Sequence, residues 1–289
     1  MKNVLTIDVE DYFHVAALKE SIAVDDWHKI APRVESSTHK LLDLFDQHEV
    51  KATHFILGWV ADKFPELVRE IDRRGHEIAS HGFSHQLIYS QQPEVFRAET
   101  ERSKKLLEDI TGKPVWGYRA ASYSITEKSL WALDILAENE FKYDSSIFPI
   151  YHDRYGIPDS PRDPHVLQTP NGGQLVEYPL STARFLGQTV PIAGGGYFRL
   201  YPYWLSQYFY RQRVKNDDPF VFYLHPWEVD PEQPKVEVSW FSKFRHYNNL
   251  DKCHARLNAL LSEFQFTAMY DKLTELNLFD PSQPVSVRY

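Results

Sequence analysis

His81 and His85 stand four residues apart in Ala79-Ser80-His81-Gly82-Phe83-Ser84-His85, directly after the run His76-Glu77-Ile78-Ala79. On a helical turn such a pair shares one face, and both rings can reach a single ion. In a continuing strand the same positions would lie about 13 Å apart, too far for that. Gly82 bends readily and the strand pattern stops at Ser80, so a turn is expected here. Neutral imidazole is a common ligand of zinc and similar ions, and a site with few protein ligands leaves room for a reactive water. Thirteen histidines in the chain allow close surface pairs by chance, so the spacing gains meaning from what accompanies it.

Other apolar runs also stop at residues of catalytic type. Residues 4–7 stop at Asp8, 115–118 at Arg119, 141–143 at Asp144 and 220–224 at His225. Helical patterns lie between them. One starts near Ser37 and carries Leu41, Leu42, Leu44 and Phe45; another runs through Pro65, Leu67, Val68 and Ile71 to Arg73-Arg74-Gly75. A long amphipathic stretch over 94–109 ends at Gly112-Lys113-Pro114, and Thr126 opens a further one through Leu130 and Trp131. Strand and helix alternate at the spacing of βαβ units, which argues for a parallel sheet. In a (β/α) barrel the C-terminal strand ends share one rim, so these polar residues are expected to converge.

The totals narrow the function. A chain of 289 residues with 43% hydrophobic and 25% charged side chains has ample material for a core. A net charge of −8 makes nucleic acid or an anionic membrane surface an unexpected partner. The lone Cys253 excludes an internal disulfide and is read as a buried structural thiol. No apolar run reaches the length of a membrane span, and residues 1–7 enter a strand with no signal-peptide pattern, so a cytoplasmic location is expected. No repeat or balanced linker divides the chain. We expect one α/β barrel domain over 1–230, with an elaborated, helical C-terminal extension over 231–289 packed on it. The proline-rich excursion over 149–170 reads as a binding loop or lid. Gly194-Gly195-Gly196 lacks the context of a phosphate loop and is read as close backbone packing or a flexible lid. The aromatic group Tyr197, Phe198, Tyr201, Tyr203 and Trp204 is read as core, with room for one ring in a cleft.

The ordered motifs resemble those of the polysaccharide deacetylases, the carbohydrate esterases with a NodB homology domain. His81-Gly82-Phe83-Ser84-His85 resembles their HxxxH metal motif and Thr6-Ile7-Asp8-Val9-Glu10-Asp11 their opening acidic motif. Tyr118-Arg119-Ala120-Ala121-Ser122-Tyr123, Tyr143-Asp144-Ser145-Ser146 and Leu224-His225-Pro226 resemble the remaining three, in the family's order. Within the family the chain is most similar to the branch of peptidoglycan deacetylases and allantoinase-like enzymes. Its tail, including Phe244-Arg245-His246-Tyr247, resembles deacetylases linked to exopolysaccharide and exosortase systems.

The resemblance implies a distorted (β/α)7-type barrel and a divalent ion, zinc first. It implies removal of acetyl groups from an N-acetylated hexosamine glycan or its precursor. Asp8 would be the general base, His81 and His85 metal ligands, Arg119 the group that orients Asp8, Asp144 a group tuning the imidazole, and His225 the general acid. A backbone N–H near Tyr123 would assist the oxyanion. The usual opening motif has adjacent aspartates, whereas Val9 follows Asp8 here. Glu10 is the first choice for third ligand because it shares a strand face with Asp8, and Asp11 is the alternative if the strand turns at once. Ala121 replaces a proline usual in this branch and should loosen the loop. The rival readings are a metal-independent, allantoinase-like amidohydrolase and a silent glycan-binding protein. Oligomeric state is not legible.

Overall fold

The computed structural model describes residues 1–15, 18–19, 21–152 and 154–289. Its strands are β1 (Asn3–Val9), β2 (Thr53–Ile56), β3 (Glu77–Ser80), β4 (Gly117–Tyr118), β5 (Tyr143–Asp144), β6 (His165–Gln168), β7 (Gln174–Glu177), β8 (Thr182–Phe185), β9 (Gln188–Pro191), β10 (Val221–Leu224), β11 (Phe266–Thr267) and β12 (Val285–Arg288). The main sheet runs β10-β1-β2-β3-β4-β5-β7, parallel throughout, and continues through β6, antiparallel to β7, to β12. All of β1 is buried. That suits Asn-Val-Leu-Thr-Ile-Asp-Val in a strand covered on both faces, as parallel sheets are.

Helices Val34–Gln47, Pro65–Arg73, Pro93–Thr111 and Trp131–Glu138 bury their apolar stripes against this sheet. Leu41, Leu42 and Phe45 are fully buried, and each such side chain contributes about 1.5–3 kcal/mol relative to exposure. The first helix begins at Val34, three residues before the expected serine cap, because its start is capped from elsewhere in the chain (below).

Register places the strand ends at one level. Ile56 pairs with Ser80, Ser80 with Tyr118, and Tyr118 with Asp144. One residue further on, the His81 amide donates to the Ile56 carbonyl at 3.0 Å, Arg119 to Ser80 at 2.9 Å and Ser145 to Tyr118 at 3.0 Å. His81, Arg119 and His225 are therefore the first residues past their strands, with Asp144 on the last rung of β5 and Asp8 still paired in β1, all on a common rim. The α/β class with a parallel central sheet is as expected.

On its side away from β1, β10 meets loop residues: the Tyr223 amide donates to the Ala193 carbonyl at 2.7 Å and Val221 to Ser181 Oγ at 2.8 Å. The triple glycine permits this approach. A Cβ on Gly194 (φ +126°) would stand 2.2 Å from the Tyr223 carbonyl oxygen, so close packing is the role of that motif.

Strand β6 lies within the 149–170 excursion, and the Leu186-Gly187 turn, with φ of +48° and +80°, joins β8 and β9 in a hairpin. The stretch after 230 mixes helices with two strands. Helices Trp240–Tyr247, Leu250–Glu263 and Met269–Glu275 are there, but β11 pairs with β1 and β12 with β6. Among the described residues, no helix is long and apolar enough to cross a membrane.

Candidate active site

Donor atoms of Glu10, His81 and His85 all lie within 4.8 Å of one another. β3 delivers His81; the turn behind it delivers His85. That turn is held from several sides. Gly58 N–H donates to the Gly82 carbonyl at 2.8 Å, Trp59 N–H to Phe83 at 3.0 Å, and Ser103 Oγ to Gly82 at 3.1 Å. Gly82 and His85 adopt φ of +72° and +53°, and the second is a strained value for a side-chain-bearing residue. The rings of His81 and His85 stand 5.3 Å apart, in a turn rather than a helix.

Two imidazoles and one carboxylate are a donor set that suits a divalent ion. His81 Nδ1 faces the Arg119 carbonyl at 2.8 Å. A donated N–H there leaves the Nε2 lone pair for a ligand, the second-sphere pattern of metal-binding histidines. Burial holds His81 down to about 4. Glu10 Oε2 lies 2.7 Å from His85 Nε2. Burial works against the Glu10 charge, yet His85, His225 and His81 hold its carboxyl well below the usual range. Trp227 Nε1 donates to Glu10 Oε1 at 3.3 Å.

Asp11 has another task. Its Oδ2 accepts the backbone N–H groups of Arg33 at 2.7 Å and Val34 at 2.9 Å, and its Oδ1 that of Tyr12 at 2.9 Å. It caps the first long helix from 22 residues away, satisfying amides that would otherwise be orphaned. Of the two acids left open, Glu10 is the one that the structure brings to the histidines. Its amide donates to the Asp8 carbonyl at 3.0 Å, a tight bend that brings it toward the histidines.

Asp8 is bound by Arg119. Arg119 Nη1 donates to Asp8 Oδ1 at 2.7 Å and to Thr6 Oγ1 at 2.8 Å, while Nη2 donates to Ser145 Oγ at 2.9 Å. The guanidinium is fully buried and lies 4.1 Å over the Phe55 ring. The Tyr123 hydroxyl approaches Asp8 Oδ2 at 3.5 Å. These contacts leave the aspartate one orientation.

His225 comes to the same place from β10, with Nε2 3.9 Å from Asp8 Oδ2 and 3.6 Å from Glu10 Oε1. Its other nitrogen meets Glu228 Oε1 at 2.7 Å. Burial opposes the imidazolium, but Glu228, Glu10 and Asp8 outweigh it and raise the group to about 9. Glu228 is held by the buried Arg199, whose Nε donates to Oε2. Burial would raise the Glu228 carboxyl; Arg199 and His225 bring it down to about 2. Trp227 stacks between His225 and His246, at 5.1 and 4.4 Å.

Asp144 is held by neighbours other than the imidazole. Its carboxylate accepts from Ser146 Oγ at 2.5 Å and Ser146 N at 3.2 Å. It also lies beside Glu177, with burial raising both carboxyls. Ser146 Oγ in turn accepts the Ala120 amide at 2.8 Å, so Asp144 braces the loop after Arg119. The carboxylate beside the imidazole is Glu228. The amide near Tyr123 is likewise engaged: Tyr123 N–H donates to the Ala120 carbonyl at 3.0 Å and Ser124 N–H to Ala121 at 3.2 Å.

Sequence reasoning missed Glu228, Arg199 and the Tyr123 phenol. Glu228 carried a signal, since His225-Pro226-Trp227-Glu228 is an i, i+3 pair opened by a proline at the first turn position. Arg199, far from both in the chain, carried none.

A parallel α/β sheet with a two-histidine, one-carboxylate cluster on its rim defines the class: an α/β domain built around a candidate metal centre. Comparison with known proteins makes this specific. A family model described as polysaccharide deacetylase matches residues 21–142, and one described as a domain of unknown function matches 145–274. Over residues 21–142, less than half of its length, the chain thus matches a polysaccharide deacetylase domain. The peptidoglycan-N-acetylglucosamine deacetylase of Bacillus cereus is 35% identical over 98 residues, 34% of this chain and 36% of that protein. The peptidoglycan deacetylase of Helicobacter pylori is 33% identical over 126 residues, 40% of each. The chain thus spans two fifths or less of the length of these two relatives. A candidate polysaccharide deacetylase from Mycobacterium smegmatis shares the fold, with TM-score 0.60 and 18% identity over 96% of this chain and 91% of that one. The Puue allantoinase does so with TM-score 0.60 and 15% identity over 98% and 91%.

Proposed function

We propose that this protein is a metal-dependent N-deacetylase acting on an N-acetylated hexosamine within a glycan or glycan precursor. The observation that carries the reading is the joint placement of Glu10, His81 and His85 beside two separate pairs, Asp8–Arg119 and His225–Glu228. The deacetylases among its relatives support the substrate class.

Glu10, His81 and His85 would hold the ion, zinc being the first choice for this donor set. A divalent cation supplies Lewis acidity toward an amide carbonyl and toward water. Asp8 accepts a proton as water attacks the acetyl carbonyl carbon, and Arg119 holds the carboxylate in line for that transfer. His225 gives a proton to the departing nitrogen as the C–N bond breaks. Acetate and a free amine result, with every atom of the water accounted for. Glu228 orients His225 through Nδ1, leaving Nε2 to face the substrate. Asp144 supports the Arg119 loop.

The test is acetate release from N-acetylglucosamine oligomers, with metal analysis of the purified protein. Bound metal near one equivalent and turnover abolished by chelation, by Asp8→Asn and by His81→Ala are expected. Turnover that survives metal stripping selects the allantoinase-like reading instead. Glycan binding without hydrolysis, unchanged in Asp8→Asn, selects a binding protein.

A further inference from the structure

The groove beside the site has a charge that the chain as a whole does not. A cavity of about 490 Å³ opens past Tyr223 and Ser122. Tyr223 lies 5.7 Å from the His225 ring, and Ser122 adjoins the Tyr123 that reaches Asp8. The lining includes Lys19, Arg154 and Arg245 and, among the described residues, no aspartate or glutamate. In a chain with forty acids and thirty-two bases, that is a local reversal. No described carboxylate pairs with Arg154 or Arg245.

The two arginines are set among aromatic rings. Arg245 stands 4.3 Å over Phe241, and its carbonyl accepts from Arg199 Nη2 at 3.1 Å, which fixes its helix end. Tyr155 and Tyr197 meet hydroxyl to hydroxyl at 3.3 Å on the same wall. Arg154 and Tyr155 also line a second cavity of about 750 Å³, whose walls carry Glu127 and Asp159 as well, so the carboxylate-free lining is that of the first cavity alone. Aromatic rings present apolar faces to sugars, and a guanidinium offers a planar fork to a carboxylate or phosphate.

We propose that this groove recognises an anionic group, a carboxylate or a phosphate, on the unit adjoining the acetylated sugar, with Arg154 and Arg245 as its specificity-determining residues. The proposal rests on the deacetylase reading for which sugar occupies the centre. Two exposed charge contacts of about 0.5–1 kcal/mol each amount to roughly a tenfold preference.

The experiment measures binding to metal-loaded Asp8→Asn protein, which cannot consume its ligand on this reading. The probes are an N-acetylglucosamine tetrasaccharide, a tetrasaccharide alternating N-acetylglucosamine with glucuronate, and UDP-N-acetylglucosamine. One anionic probe should bind about tenfold tighter than the neutral one at low salt, less so at high salt. Adding Arg154→Gln and Arg245→Gln should bring that ratio to about one, judged by the same exposed-pair energies. Preference for the glucuronate chain assigns a carboxylate, and preference for the nucleotide sugar a phosphate. Equal affinity for all three, no binding of any, or a preference that survives both substitutions overturns the proposal. Acetate release from the same probes by the unaltered protein is scored separately. Its absence beside an intact anion preference strikes the deacetylase reading alone.

Discussion

Two histidine pairs among the described residues differ in what surrounds them. The rings of His81 and His85 are 5.3 Å apart, and those of His54 and His76 are 4.8 Å apart. By spacing alone the second is the better pair. Yet His54 and His76 pack against Phe45 at 6.3 and 5.9 Å, and His76 Nδ1 accepts the Ala52 amide at 3.2 Å. At His81 and His85 the neighbours are Glu10, Asp8 and the carbonyl of Arg119. A histidine pair becomes a candidate centre through the carboxylates the strand ends bring to it, and His54, inside β2, faces a helix instead.

The largest effect should come from His81→Ala. It removes a donor from the cluster, and deacetylation should fall by at least about a thousandfold, with metal content dropping in parallel. The matched change His76→Ala should leave metal content intact. A protein that lost its metal with His76 and kept it without His81 would reverse the comparison.

Glu228→Gln should come next. It keeps the side-chain shape but replaces the carboxylate facing His225 Nδ1. We expect kcat to fall about a hundredfold with KM little changed, as when a group acts in the transition state only. Asp144→Asn, whose partners are Ser146 and Glu177 rather than a histidine, should reduce kcat less. If the order is inverted, Asp144 holds the role that the motif order suggested.

The rim was legible because its residues obey local rules. Asp8, His81, Arg119 and His225 each end an apolar run, and strands covered on both faces have such runs. The twofold period of a strand pointed to Glu10, whereas a bend just past β1 is what turns it to the histidines. What was hidden depends on distant partners. Asp11 caps a helix from across the chain, Glu177 reaches Asp144 from another strand, and Arg199 reaches Glu228 across 29 residues. The β8–β9 hairpin escaped because its residues alternate weakly and lie half exposed. The same long reach makes Asp11 a test of its own. Asp11→Ala orphans the Arg33 and Val34 amides and should cost about 2 kcal/mol of stability by denaturant melting, with metal stoichiometry unchanged. Loss of metal in a folded variant would return Asp11 to the ligand set.

The smallest effect should separate the two pairs by pH. Burial lowers His54 well below its ordinary value and brings His76 down to about 4. Both are therefore neutral in the fold over a range where the unfolded chain binds protons. A depressed value means that the contribution to stability is complete above the unfolded value of about 6.5 and is lost as pH falls toward the folded one. The parent protein should weaken between about pH 6.5 and 4, each buried ring contributing up to about 1.4 kcal/mol per pH unit. His54 is buried with at most a weak contact to the Ala52 backbone, so His54→Leu removes a titrating ring at little cost in bonding. Its stability relative to the parent should rise steadily as pH is lowered through that window, read from urea midpoints at constant ionic strength. A difference that stays flat across the window would mean His54 is already protonated in the fold, and the contrast between a packed pair and a ligand pair would lose its physical basis.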